Sequence, residues 1–248
     1  MRKVVLVTGG SRGIGAATCI LAAQKGWDVA VNYTSNAKAA EEVVQQVKAA
    51  GGRAISVQAD VAHEDQVLAM FKKVREELGP LQGLVNNAGV VDVSARLDEM
   101  SMARWRRMFD INVLGSMLCA REAILQMSTK HGGHGGSIVN LSSAAARLGS
   151  PGQYLDYAAA KGAIDSFTLG LAKEIAGEGI RVNAIRPGLI DTEIHASGGL
   201  PNRVKDLEHL VPAKRGGSAM EVAQAIVWLL SEEASYTTMS LIDVSGGR

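Results

Sequence analysis

The run Lys3-Val4-Val5-Leu6-Val7-Thr8, followed at once by Gly9-Gly10-Ser11-Arg12-Gly13-Ile14-Gly15, constrains the fold more than any other stretch. Its apolar residues are continuous rather than alternating, which predicts a strand covered on both faces. Ala16 to Lys25 then reads as a helix stopped by Gly26. A strand, a glycine turn and a helix in this order aim backbone N–H groups and a positive helix end at a pyrophosphate. The glycines at 9, 13 and 15 give the spacing G-x-x-x-G-x-G, which differs from the G-x-G-x-x-G fingerprint.

Strand and helix patterns alternate through the rest of the chain. Strands are expected at 28–32, 54–58, 81–85, 137–141, 181–185 and 241–244, and helices at 37–50, 64–78, 101–130, 157–175 and 218–231. Residues 189–217 carry little regular pattern, as expected of a substrate loop or lid, with His195 turned to water. No linker, repeat or change of composition divides residues 1–248. The economical solution is an α/β fold: one doubly wound, Rossmann-type domain with a mostly parallel seven-stranded sheet and helices on both faces.

Composition removes several functions. Lys+Arg 26 against Asp+Glu 25 leaves a net charge of +1, without the basic excess of a nucleic-acid binder. Two cysteines, Cys19 and Cys119, suggest buried thiols rather than a disulfide framework. The histidines at 131 and 134 lie in a glycine loop without a rigid frame, so no metal site is expected. A strand starting at Lys3 and the lack of a long apolar run lead to the expectation of a cytoplasmic protein without signal peptide or membrane span.

Chemistry enters with Tyr157-Ala158-Ala159-Ala160-Lys161 and with Ser142-Ser143 before it. Residues four apart on a helix share a face, so Tyr157 and Lys161 point the same way. An ammonium beside a phenol favours the phenolate, and a serine hydroxyl holds a carbonyl or alcohol oxygen. The trio suits moving a proton on or off an oxygen while a hydride moves on or off the attached carbon. The second strand ends Asn32-Tyr33-Thr34-Ser35-Asn36 with no acid to hold a ribose 2′-hydroxyl, and Arg12 offers a guanidinium to a 2′-phosphate. Both features favour NADP over NAD.

With these pieces together, the sequence resembles the short-chain dehydrogenase/reductase family over nearly all of its length. Thr8 to Gly15 looks like its cofactor loop, Asp60-Val61 its adenine-contacting pair and Asn86-Asn87-Ala88-Gly89 its NNAG segment. Asn112, Ser143, Tyr157 and Lys161 match its catalytic tetrad, and Pro187-Gly188 with Ile190 and Thr192 its nicotinamide-carboxamide stretch. Within the family the chain is most similar to bacterial 3-oxoacyl-carrier-protein reductases and glucose-1-dehydrogenases.

The resemblance implies an NADP(H)-dependent carbonyl reductase or alcohol dehydrogenase, a small-molecule substrate and a homotetramer. Ser143, with Ser142 as the alternative, would bond the substrate oxygen, Tyr157 would exchange its proton, and Tyr154 would touch substrate or pack on the core. Lys161 would lower the phenol pKa and hold the ribose, and Asn112 would position a water linking Lys161 to solvent. Gly9, Ser11, Arg12, Gly13, Ile14, Gly15, Asn32, Tyr33 and Thr34 would meet the nucleotide, with Asp60, Val61, Asn87, Ala88 and Gly89. An epimerase or dehydratase using the cofactor transiently, or a cofactor-binding sensor without turnover, are the alternatives.

Overall fold

The computed structural model describes residues 2–248, apart from the side chain of His195. Strands and helices alternate from the start: β1 (Lys3–Val7), α1 (Gly13–Gln24), β2 (Trp27–Tyr33), α2 (Ala37–Ala49), β3 (Ala54–Gln58), α3 (Glu64–Glu77) and β4 (Leu81–Asn86). Then come α4 (Met102–Phe109), a π-turn (Asp110–Leu114), α5 (Gly115–Met127), β5 (Gly136–Leu141), α6 (Ala145–Leu148), α7 (Leu155–Ile175) and β6 (Ile180–Pro187). The last third adds β7 (Ile190–Asp191), α8 (Ile194–Ser197), α9 (Arg203–Leu207), β8 (Gly217–Ser218), α10 (Ala219–Leu230) and β9 (Leu241–Val244).

Seven strands form one sheet in the order β3-β2-β1-β4-β5-β6-β9, and every neighbouring pair is parallel. The expected "mostly parallel" sheet is thus wholly parallel. The continuous apolar strands are explained by two cores. Val5 and Val7 of β1 face α1, α2 and α10, while Val4 and Leu6 face α3, α5 and α7. Because side chains alternate across a strand, covering both faces leaves no place for polar residues in β1 beyond the exposed Lys3 at its start. The strand order reverses between β1 and β4, and a crevice at such a point is where open α/β sheets bind ligands.

Two expectations need correction. The single helix over 101–130 is two helices joined by the π-turn, because Asn112 diverts the backbone ladder there. Residues 189–217 are less irregular than their pattern implied: they hold α8, α9 and the short β7–β8 pair, in which Gly217 N donates to Leu189 O at 2.9 Å. Among the described residues no helix is long and apolar enough to cross a membrane, and no cluster of metal-ligating side chains occurs.

Candidate active site

The glycine turn is built by close approach. A Cβ on Gly15 would lie 2.3 Å from the Gly9 carbonyl oxygen and 2.6 Å from Asn87 Nδ2, so only glycine fits. Asn87 Nδ2 donates to the carbonyls of Thr8 at 2.8 Å and Gly9 at 3.0 Å, and the N–H groups of Asn87 and Ala88 each donate to Thr8 Oγ1 at 3.0 Å. These bonds tie the ends of β1 and β4 together across the switch point. Gly13 begins α1 at φ +53°, and the first turn of α1 has no acidic residue to neutralise its positive end. Ser11, Arg12 and Ile14 flank that end, and Arg12 is exposed without an acidic partner among the described residues. This cradle, which a Cβ would fill, fits the pyrophosphate of a dinucleotide.

The end of β2 is tied to the glycine turn. Asn32 is buried, with Oδ1 accepting from Gly9 N at 3.1 Å and Nδ2 donating to Val57 O and Ala59 O at 3.3 and 3.0 Å. Its side chain is spent fastening the glycine turn to β2 and β3, which leaves Tyr33 and Thr34 as the side chains beside the turn. Asp60 Oδ1 accepts from Ala62 N at 3.0 Å, and buried Val61 packs where a Cβ on Gly115 would come within 2.6 Å.

β5 and the first turns of α7 bring the chemistry-bearing side chains together. Strand alternation separates the two serines. Ser142 is buried and donates to Lys161 O at 3.2 Å, whereas Ser143 Oγ accepts from Ala145 N at 3.1 Å and bonds the Tyr157 phenol. Lys161 is 4 % exposed, its Nζ donates to Leu141 O at 2.6 Å and it sits 5.6 Å from the centre of the Tyr157 ring. Burial lowers the Lys161 pKa to about 8, against the attraction of Asp165. Burial also pushes the Tyr157 phenol above its ordinary value, opposed by the bond from Ser143. Ser143 is the group that opposes burial at the phenol, and Lys161 lies beside the same ring.

Asn112 is fully buried in the π-turn. Its Nδ2 donates to Met108 O at 2.9 Å and Val90 O at 3.0 Å, and its Oδ1 accepts from Val90 N at 3.2 Å. The amide plugs the carbonyl that the π-turn frees and pins the segment after β4. A Cβ on Gly89 would lie 2.7 Å from Asn112 Oδ1 and 3.6 Å from Lys161 Nζ, so these three residues converge on one point.

A cavity of about 180 Å³ opens over this group. Of the residues singled out in the sequence, Ile14, Asn87, Gly89, Ser142, Ser143, Tyr154, Tyr157, Lys161, Pro187, Gly188, Ile190 and Thr192 line it. Asn112 lies behind it, and Gly9, Ser11, Arg12, Gly13, Gly15, Asn32, Tyr33, Thr34, Asp60, Val61 and Ala88 lie outside its lining. Pro187-Gly188 is held by Gly188 N donating to Val244 O at 3.0 Å, and Thr192 reaches back to Gly13. Sequence reasoning missed Arg203 and Arg248, which also line the cavity. Nothing local marks either one, since the tertiary fold alone brings them there.

Comparison with known proteins agrees with this geometry. A family model described as enoyl-(acyl carrier protein) reductase matches residues 9–248. The Escherichia coli K12 protein named uncharacterized oxidoreductase YgfF is 55% identical over 99% of both chains. A Staphylococcus aureus 3-oxoacyl-[acyl-carrier-protein] reductase, FabG, is 38% identical over 100% of this chain and 98% of its own. Glucose 1-dehydrogenase 2 of Bacillus subtilis is 39% identical over 99% of this chain and 94% of its own. With a match of that extent over a wholly parallel sheet and a glycine turn at its switch point, the chain belongs to the short-chain dehydrogenase/reductase family and is an oxidoreductase.

Proposed function

We propose that the protein is an NADP(H)-dependent reductase of a small carbonyl compound, working in reverse on the secondary alcohol, with Tyr157 as general acid and base. The observation that carries this reading is the meeting of Ser143, Tyr157 and Lys161 in one cavity next to the glycine turn. The names of the FabG and glucose 1-dehydrogenase relatives, both of which describe carbonyl–alcohol redox, support it.

When bound, the nicotinamide supplies or accepts the hydride at the substrate carbon. Gly9, Ser11, Gly13, Ile14 and Gly15 hold its pyrophosphate at the α1 end. Arg12, with Tyr33 and Thr34, receives the 2′-phosphate. Asp60 and Val61 would contact the adenine, and Asn87, Ala88 and Gly89 would help to hold the nucleotide. Pro187, Gly188, Ile190 and Thr192 hold the carboxamide.

Ser143 donates a hydrogen bond to the substrate carbonyl oxygen. Tyr157 gives that oxygen its proton as the carbon gains the hydride, so the carbonyl becomes an alcohol and the phenol a phenolate. Lys161 stabilises the phenolate and holds the ribose. Asn112 fixes the Gly89-Val90 segment against Lys161, where a water returns the proton from solvent. Burial keeps the Tyr157 phenol above its ordinary value, so the free site holds the protonated donor that the reductive step uses. The reading extends to a homotetramer, in which the exposed Met102, Phe109, Leu114, Met117 and Leu125 of α4, the π-turn and α5 would be covered.

A panel of ketones and aldehydes run with NADPH and with NADH tests the proposal. It expects one NADPH consumed per alcohol formed, with NADPH preferred. Tight NADPH binding without turnover of any carbonyl or alcohol would contradict it.

A further inference from the structure

Two arginines, Arg203 and Arg248, line the active-site cavity, and among the described residues no Asp or Glu side chain pairs with either. Arg203, on the first turn of α9, lies over the Tyr154 ring at 5.1 Å from its centre and donates to Gln153 Oε1 at 2.8 Å. Arg248 lines the same cavity from beyond β9, and its carbonyl accepts from Arg147 Nη2 at 3.1 Å. Arg2, Arg12, Arg75, Arg106 and Arg181 also lack an ion pair among the described residues, but Arg203 and Arg248 are the unpaired arginines that line the cavity.

Their surroundings make the lack of an acid costly. Arg203 is half-buried on an aromatic face, and its charge is disfavoured by lost hydration and by the neighbouring positive charge of Arg248. Like charges facing one cavity gain most from an anion placed between them. A guanidinium is planar, and it matches a carboxylate or a phosphate with two parallel bonds. The rest of the lining on that side is apolar or neutral: Val91, Leu148, Ser150 and Ile194.

From this arrangement we infer that the substrate carries an oxyanion, a carboxylate or a phosphate ester, held by Arg203 and Arg248 while its carbonyl meets Ser143 and Tyr157. Arg203 and Arg248 are then the residues that set specificity, selecting oxo acids or phosphorylated carbonyl compounds over neutral ketones. The inference rests on the carbonyl-reductase reading for the identity of the reacting group. The anion site itself does not depend on turnover.

Calorimetric titration in the presence of saturating NADP⁺, which cannot reduce a ketone, separates the two. 4-Oxopentanoate is compared with its methyl ester, and hydroxyacetone phosphate with hydroxyacetone. Whichever charged member shows the larger gain over its neutral partner identifies carboxylate or phosphate. The inference expects at least one anion to bind roughly tenfold or more tightly than its neutral partner. Arg203→Met should erase most of that ratio, Arg203→Lys should keep part of it, and Arg248→Met should reduce it independently should Arg203→Met fail to fold. Equal binding of charged and neutral partners, or a ratio unmoved in folded Arg203→Met and Arg248→Met, overturns the anion site. Failure of the same ketones to consume NADPH, with the binding ratio intact, overturns only the redox reading.

Discussion

Arg104 and Asp156 meet in a two-pronged ion pair, Nε to Oδ2 at 2.7 Å and Nη2 to Oδ1 at 3.1 Å, immediately before Tyr157 in the chain. Both side chains are nearly inaccessible, at 9% and 2% exposure. Asp156 Oδ1 also accepts from Tyr157 N at 3.0 Å, and Arg104 Nη1 donates to Val93 O at 2.7 Å. The pair thus fastens the start of α7 to α4 and to the segment after β4. Removing one partner strands a buried charge, so Arg104→Met or Asp156→Leu should each cost about 3 kcal/mol in denaturant unfolding. The double variant should cost less than the sum of the two. Additive losses would show that the two residues act separately.

Lys161 gives a pH dependence with a defined sign. In the free enzyme its amine is charged below about 8 and loses the proton above it. A ribose held by the ammonium should therefore bind steadily from pH 6 to 7.5 and weaken as pH rises through about 8. Lys161→Met should bind cofactor roughly tenfold more weakly at pH 7 and show no limb near 8. Fluorescence titration of NADPH across this range is the check, and an unchanged limb in the variant would assign it to another group.

The two buried thiols limit alkaline stability. Burial pushes the Cys19 pKa far up and Cys119 up to about 12, from an ordinary value of 9.0. Below about 9 both states keep the protons and nothing is lost. Above it the unfolded thiols ionise while the native ones do not, so stability falls by about 1.4 kcal/mol per pH unit per thiol. Lys161 acts oppositely: between about 8 and 10.5 the unfolded amine still holds a proton that the native one has lost, so its term rises with pH. Chemical unfolding from pH 8 to 10 should show wild-type stability turning downward near 9. The double variant Cys19→Ala, Cys119→Ala should lose that downturn.

Cofactor choice is expected to reside in Arg12. Arg12→Ala should lower the ratio of kcat/KM for NADPH over NADH by roughly tenfold, the value of one charge-assisted contact. Steady-state kinetics with both cofactors measure it, and an unchanged ratio would move the selection to Tyr33 and Thr34.

Legibility in the sequence followed the range of the interaction. A strand buried on both faces, such as β1, announces itself as an apolar run, and even the edge strands at 54–58 and 241–244 have the expected bounds. Tyr157 and Lys161 share a helix face, a relationship set by four residues of local geometry. Partners set by the sheet were not readable. Lys161 bonds Leu141 O, 20 residues earlier, and Asn32 reaches Gly9, Val57 and Ala59. The π-turn was hidden because Asn112 replaces a ladder bond with its own amide, which no hydrophobic period reveals. Arg203 entered the cavity unannounced for the same reason: α9 is short and irregularly patterned, and contacts to Gln153 and Tyr154, 50 and 49 residues earlier, fix where it points.

The central claim is that the Tyr157 phenol carries the substrate proton, and Tyr157→Phe tests it with the ring kept and only the hydroxyl removed. Steady-state reduction of a good ketone should fall roughly 10²–10⁴-fold, while NADPH titration stays close to wild type. A variant that binds NADPH normally and reduces the ketone at the wild-type rate would contradict the account.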